Sequence, residues 1–556
     1  MKPTVLPLAL LLALAPITRG ALPTPDPDDG GITLPPGFRA LVVGETSPTG
    51  RAGDGLRYIT VAPNGDIYAK AVNKGIFALR DTNGDGRADE IKNFGAGAGT
   101  GIAIQNGWLY YSTTKGVYRY KYTPGQLVPT GEPETIVKDL PDQNQHNAKA
   151  FTFDGDGRLL VEVGSPANAF SNGDRQRGAK GKTPAEVDDF LKTHGGYWLF
   201  DANKPGQTQA DGIHFSTGHR HSVSVTWHPV SREFFMNMMG RDGLNTIDPE
   251  DYDELDNAER VAEEMHVLKQ GVNMGWPYTY WDPIKQARMV GPEYGGDGRK
   301  RNDDPAYDKP IVAFPGHWAP LQMTVYTGTQ FPEKYRNGVF VAFHGSWNRA
   351  PRPQAGYKIA FVPFDAKGMP TGTYEDFATG FPGVEYFTNT NDARYRPSGV
   401  AVGPDGSLYV TETQKGRIWR IIYTGDTTPR ARVVVASTAS GQTLPAIGAD
   451  TPGGKIYAQI CAACHMPNGS GVPAMQPPLA GSPVLAGDTD RLINVILKGP
   501  AAVLSADREK FQNTMPPFGA VYNDADLASL INYVRANFAP AAPKVTPAQV
   551  AAQRGK

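Results

Sequence analysis

The chain has 556 residues, of which 40% are hydrophobic and 20% charged, so it exceeds one ordinary core and is expected to divide into two or more globular domains. Its 55 Lys and Arg nearly balance its 56 Asp and Glu, and no long run of either sign occurs. That leaves no basic field for nucleic acid and no charged tail.

The first 21 residues place Lys2 ahead of an apolar run from Val5 to Ala15, then offer small Gly20 and Ala21 as a cleavage point. The run is short and interrupted by Pro7 and Pro16, which reads as a secretory signal, with an uncleaved anchor as the alternative. The expectation is an exported, periplasmic protein that does not span a membrane. Export usually brings disulfides, yet the only cysteines are Cys461 and Cys464.

Residues 22–423 repeat a two-part theme. One part is a strand pair around an Asn-Gly or Asp-Gly turn, as in YITVAPNGDIYAKA, AFTFDGDGRLLVEVG and GVAVGPDGSLYVTET. The other ends in a short apolar run: GIFALRD, GVYRYKY, GGYWLFD, EMHVLKQ, YKIAFVPF and GRIWRIIY. Repeating four-stranded units predict an all-β six-bladed propeller, with a β-sandwich array as the alternative. The insertions 166–195 and 277–310 are expected to crown one face.

Within the first blade, DTNGDGRADE sets Asp81, Asn83, Asp85 and Asp89 around Gly86, the alternation of an EF-hand's front half. Lys92 stands where the twelfth-position Glu belongs, so the segment is either a structural calcium loop or an acidic turn. Other interblade loops carry His or Arg in Gly-rich settings: His146, Arg220 with His221, His344 with Asn348 and Arg349, and Arg394 with Arg396. Cations converging on one channel mouth need an anionic occupant.

A linker rich in Thr, Ala, Gly and Pro is expected over 424–452, and a small all-α domain over 453–539, followed by a flexible tail, 540–556. Cys461-Ala-Ala-Cys464-His465 has the C-x-x-C-H pattern of c-type haem attachment. Two thiols three positions apart can add to both haem vinyl groups, and His465 then lies under the iron. A redox dithiol lacks its βαβ surroundings here, and a zinc site lacks a second Cys pair. Met515, in a proline-held loop, is the expected second iron ligand; Met466 is too close in the chain, and Met475 sits in a Pro-rich loop. Met/His ligation favours electron transfer.

Two resemblances complete the reading. From about 451 to 539 the chain resembles class I cytochrome c domains. From about 50 to 422, through QHNAKAFTFDGDGRLLVEVG, TGHRHS, GVNMGWPY, HGSWNR and RYR, it resembles the glucose/sorbosone dehydrogenases that use pyrroloquinoline quinone (PQQ). The pairing with a cytochrome is similar to the exported quinohaemoprotein members of that group. The resemblance implies His146 as the base taking the substrate hydroxyl proton, and Arg220 beside the quinone. It also implies Arg394 and Arg396 on the cofactor's carboxylates, and the main-chain carbonyls of Gly240 and Arg241 on a calcium ion. Asn348 or Arg349 stands where glucose oxidisers have Lys, Gln145 where an acid often precedes the catalytic His, and His221 where Asn is expected.

The expectation is a PQQ- and calcium-dependent dehydrogenase acting on an aldose or sugar aldehyde, passing electrons through its own haem c to a soluble or membrane acceptor. A non-enzymatic propeller presenting an electron-transfer haem, and a propeller lactone hydrolase, are the alternatives.

Overall fold

A computed structural model describes residues 22–47, 55–385, 387–428, 448, 450–466, 469, 471, 476–479, 481–505, 511 and 515–555. The signal segment, most of the linker and Met475 lie outside them.

Six sheets follow one another along the chain, five antiparallel ones of four strands and one of five that ends in a short parallel pair. Their inner strands are Leu56–Val61, Ile102–Gln105, Phe151–Phe153, Ser224–His228, Pro320–Val325 and Pro397–Val402, and these neighbour one another in a closed ring. The expected six-bladed propeller is the observed fold. The sixth blade takes its outermost strand, Gly37–Glu45, from the N-terminal end, pairing it antiparallel with Arg417–Asp426. Ring closure is therefore a hydrogen-bonded seam between the two ends of the domain, and the domain runs to Asp426 rather than stopping at 423.

The hairpin turns form as their sequences dictate. Gly65 sits at φ +91, where a Cβ would be strained, while Asp66 receives both Arg80 Nε and Nη2 at 2.7 Å. Asp154 with Arg158, and Asp405 with Arg420, repeat this device in the third and sixth blades. Middle strands such as Ile67–Ala71 and Leu159–Val163 are buried along their whole length, because each blade packs both faces against neighbours. Buried charges there carry a desolvation cost. Lys70 meets it by donating to the Ala71 and Gly97 carbonyls, and burial pushes its ammonium down to about 7.

The two insertions lie together as expected. One contains helix α1 (Pro184–Leu191), opened by a Thr183–Glu186 capping box, and the other a hairpin, Thr279–Asp282 with Ala287–Val290. Tyr294 Oη donates to the Ala169 and Phe170 carbonyls at 3.1 and 2.9 Å, locking one insertion onto the other. Short helices α2 (Leu244–Ile247) and α3 (Glu254–Glu259) follow the second strand of the fourth blade.

The C-terminal domain is helical: α4 (Pro452–Ile456), a π-helical turn (Tyr457–Cys461), α5 (Ala462–His465), α6 (Pro483–Ala486), α7 (Thr489–Lys498), α8 (Pro500–Val503), α9 (Asp524–Phe538) and α10 (Pro547–Arg554). Residues 540–555 are not a flexible tail. Val545 and Val550 are buried in the domain core, Asn532 brackets Val545 with two hydrogen bonds, and Arg554 reaches the Asp524 carboxylate. The sequence alone reads as a tail because only two apolar side chains anchor it.

The Asp81 loop takes the form of an acidic turn, one of its two readings. Asp81 accepts from the main-chain N–H groups of Gly84 and Gly86 at 2.7 Å, Asn83 accepts from Asp85, and Asp89 is taken by Thr82 and Asn83. The oxygens close local turns. Among the described residues no group of three or more His, Cys, Asp or Glu gathers to hold a metal ion.

Candidate functional site

In each blade, the loop entering the inner strand and the turn leaving the second strand fall at the same end of the ring. This places the His- and Arg-bearing loops of several blades at one mouth, although they lie far apart in sequence. Asp242, just past the second strand of the fourth blade, is the hub. Its carboxylate pairs with Arg220 and accepts from Arg175 Nη1 at 2.7 Å and from Asn348 Nδ2 at 2.5 Å. Asn168 brackets it, giving its side-chain oxygen to the Asp242 N–H and its amide to the Asp242 carbonyl. Burial raises the Asp242 carboxyl, but Arg220 and Arg175 outweigh that and hold it at about 2.

His146 stands beside this hub on the loop entering the third blade, with its backbone at φ +51. Its Nδ1 lies 2.6 Å from the Ser165 carbonyl, which can only accept, so Nδ1 carries the proton and Nε2 keeps its lone pair. Burial, then Arg220, His221 and Arg175, hold the ring well below the ordinary histidine range, so it is neutral near pH 7. The His221 ring stacks on it at 4.7 Å.

Across the mouth, Arg396 Nη2 donates to His344 Nδ1 at 3.0 Å and to the Gly345 carbonyl at 2.8 Å. These acceptors are neutral. Arg57 faces the same guanidinium, and burial followed by Arg396 pushes it down to about 10. Two adjacent guanidinium groups, together with the unpartnered buried Nε atoms of Arg175 and Arg220, form a cradle suited to a polyanion.

The sequence-derived candidates divide. His146, Arg220, Asn348, Arg396 and the main chain of Gly240 and Arg241 meet at the mouth. Arg349 turns away: it donates to the Ala258 and Gly316 carbonyls at 2.8 and 2.9 Å and pairs with Glu259, stapling its own loop. Arg394 is exposed over the Tyr395 ring and does not join Arg396, because a bend at 394 breaks the alternation that would align them. The Arg241 side chain is buried against Glu293, and the Gly240 carbonyl accepts from Arg220 Nη1 at 2.9 Å. Sequence reasoning missed Asp242, Arg175 and Arg57, which stand in no recognisable motif.

In the helical domain, His465 Nδ1 donates to the Pro477 carbonyl at 2.9 Å, leaving Nε2 free to ligate. A cavity of about 1020 Å³ is lined by Cys461, Cys464, His465 and Met515 on this side. Gln145, Arg175, Asp242 and Asn348 line the same cavity from the propeller. The donor set fits a haem held by two thioethers, one imidazole and one thioether sulfur. The domains also touch directly, where Asn391 Nδ2 donates to the Gly471 carbonyl at 3.1 Å.

Comparison with known proteins agrees with both halves. Residues 55–424 match the TrAA12-like family, and residues 448–534 match cytochrome C oxidase, cbb3-type, subunit III. A pyrroloquinoline quinone-dependent pyranose dehydrogenase of Coprinopsis cinerea is 31% identical over 172 residues, covering 26% of this chain and 22% of that one. Cytochrome c-552 of Thermus thermophilus is 35% identical over 130 residues, 19% of this chain and 86% of that protein. An uncharacterized Borreliella burgdorferi protein is 30% identical over 207 residues, 37% of this chain and 48% of that one. This chain thus spans half or less of the propeller relatives it matches. In fold, it is similar to a calcium structure of Trichoderma reesei Carbohydrate-Active Enzymes Family AA12, with TM-score 0.56, 18% identity, and coverage of 73% and 99% of the two chains. It is also similar to the holo form of the Coprinopsis cinerea pyranose dehydrogenase PQQ domain, with TM-score 0.54, 20% identity, and coverage of 70% and 97%. With the family match running across most of its length, the chain belongs to the TrAA12-like family and carries a cytochrome c domain at its C-terminal side.

Proposed function

We propose that the protein is an exported PQQ- and calcium-dependent dehydrogenase that oxidises an aldose or related sugar aldehyde and delivers the electrons through its own haem. One observation carries this reading: a single cavity is lined by Arg175, Asp242 and Asn348 of the propeller mouth and by Cys461, Cys464, His465 and Met515 of the helical domain. A binding module would not need its haem to open onto its own channel.

PQQ, when bound, supplies a two-electron acceptor with three carboxylates. Arg57 and Arg396, whose guanidinium groups form no ion pair among the described residues, are its candidate anchors, with Arg220 and Asn348 at the opposite side. His146 Nε2 is the group that takes the proton from the substrate hydroxyl, and its depressed basicity keeps it ready at neutral pH. The carbonyls of Gly240 and Arg241 are the candidate calcium ligands, and Arg220 holds the first of them here. Cys461, Cys464, His465 and Met515 would hold a haem, which when bound would supply one-electron transfer to a soluble or membrane acceptor.

The test uses haem-loaded full-length protein given PQQ and Ca²⁺, following haem reduction in the visible spectrum as a panel of aldoses is added. Reduction that needs both quinone and sugar, and is lost in His146→Ala, is the expected result. A redox-active haem with no quinone binding and no response to sugar would leave a cytochrome carried by a binding module.

A further inference from the structure

The middle strand Leu159–Val163 of the third blade is buried along its length, yet it carries a carboxylate, Glu162, only 1% exposed. Its Oε1 lies 3.1 Å from His221 Nδ1, while Oε2 has no hydrogen-bond partner. A carboxylate accepts, so His221 donates from Nδ1 and its tautomer is fixed. The His221 ring then lies 4.7 Å from the His146 ring, with 26° between their planes. A buried, half-satisfied carboxylate is expensive, and no blade-packing role accounts for it.

We propose that Glu162 and His221 form a positioning pair for His146: the carboxylate orients the His221 ring, that ring holds the His146 ring by stacking, and the negative charge offsets the imidazolium formed at His146. The inference rests on the reading of His146 as the base. In that step the substrate O–H bond breaks with its electron pair left on oxygen, and an N–H bond forms at Nε2. The new positive charge appears beside Arg220 and Arg175, which both oppose it. His221 is the third titratable neighbour of His146. Glu162 is the nearby anion reached through the stack, and it is itself faced by His221, Lys149, Tyr58 and Tyr197. Lys149 is buried with its Nζ on Asn147 Oδ1 at 2.6 Å, just beyond His146 in the chain, so the carboxylate sits between two nitrogen groups.

The experiment compares wild type, Glu162→Gln, His221→Asn and His146→Ala as full-length, haem- and PQQ-loaded proteins, measuring kcat and KM against pH. A histidine-selective NMR titration of the ring at His146 in quinone-free, reduced protein runs alongside. Because the base must be neutral, kcat rises with pH through the His146 titration. Loss of the carboxylate makes the imidazolium harder to form, so in Glu162→Gln the acid limb should move down by about one pH unit. Its plateau should fall about tenfold with KM within about twofold, as a weaker base predicts. The NMR titration should move with it. If Glu162→Gln does not fold, His221→Asn, which removes the stack, should lower the kcat plateau similarly with KM within about twofold, while its acid limb and NMR titration move up, because His221 is one of the groups holding His146 down. A limb and an NMR titration unmoved in the variants, with turnover lost in His146→Ala, would overturn the pair alone. Undiminished turnover in His146→Ala would overturn the base and the pair together.

Discussion

The haem pocket and the propeller mouth face one another across a single cavity but are built in opposite ways. The haem pocket takes three of its four candidate haem-holding side chains from five consecutive residues, Cys461 to His465, on one helical turn. The mouth takes Arg57 from an inner strand and His146, Arg175, Arg220, Asp242 and Arg396 from loops of three other blades. A local site stands or falls with single residues, whereas a distributed site shares its charge among many and holds its geometry through a hub. His465→Ala is therefore expected to have the largest effect. Sugar-driven haem reduction should drop at least a thousandfold, while sugar oxidation followed with a soluble dye falls far less. Equal losses in both assays would mean that the two sites are not separable.

Asp242→Asn addresses the hub. It removes one buried charge from between Arg220 and Arg175, and breaking such a pair costs about 3–5 kcal/mol. The carboxyl is held at about 2, below its ordinary value, so its contribution is present above about pH 4 and lost as pH falls towards 2. That contribution amounts to about 2–3 kcal/mol. Denaturant melts between pH 2 and 6 should show the wild type losing this stability on acidification and the variant lacking it throughout. Parallel curves for the two proteins would remove Asp242 from its place as hub.

The same contrast decides what was legible in the sequence. Hairpins announced themselves because Asn-Gly and Asp-Gly turns are local, and CAACH because thiol spacing and the adjoining imidazole are local. Loop positions of His146, Arg220, Asn348 and Arg396 were also readable, since each lies just before or after a strand pair. Asp242, Arg175 and Arg57 were not, because nothing near them in sequence marks the ion pair of Asp242 with Arg175 or the approach of Arg57 to Arg396. Arg394 was grouped with Arg396 through the resemblance carried by the RYR segment, and the bend at 394 separates them. The Asp81 loop has the residue order of a cation site, but its oxygens turn onto main-chain N–H groups within their own loop. Spacing predicts function where the backbone between residues is fixed, as on the helical turn of the haem motif, and misleads where a bend or an Asx turn intervenes.

The weakest link between the two regions gives the smallest expected effect. Gly471 donates its N–H to the His465 carbonyl at 3.0 Å, and its own carbonyl accepts from Asn391 of the propeller at 3.1 Å. The proximal histidine is thus tied through one residue to the sixth-blade loop. Asn391→Ala removes the side-chain donor, and a single partly buried hydrogen bond contributes about 1 kcal/mol. If the docked arrangement is the one that transfers electrons, internal haem reduction should slow by about fivefold, with dye-linked sugar oxidation unchanged. Stopped-flow reduction of the haem after sugar addition measures this directly. An unchanged rate would mean that the haem receives electrons from an arrangement that does not use this contact, and that the shared cavity is one pose among several.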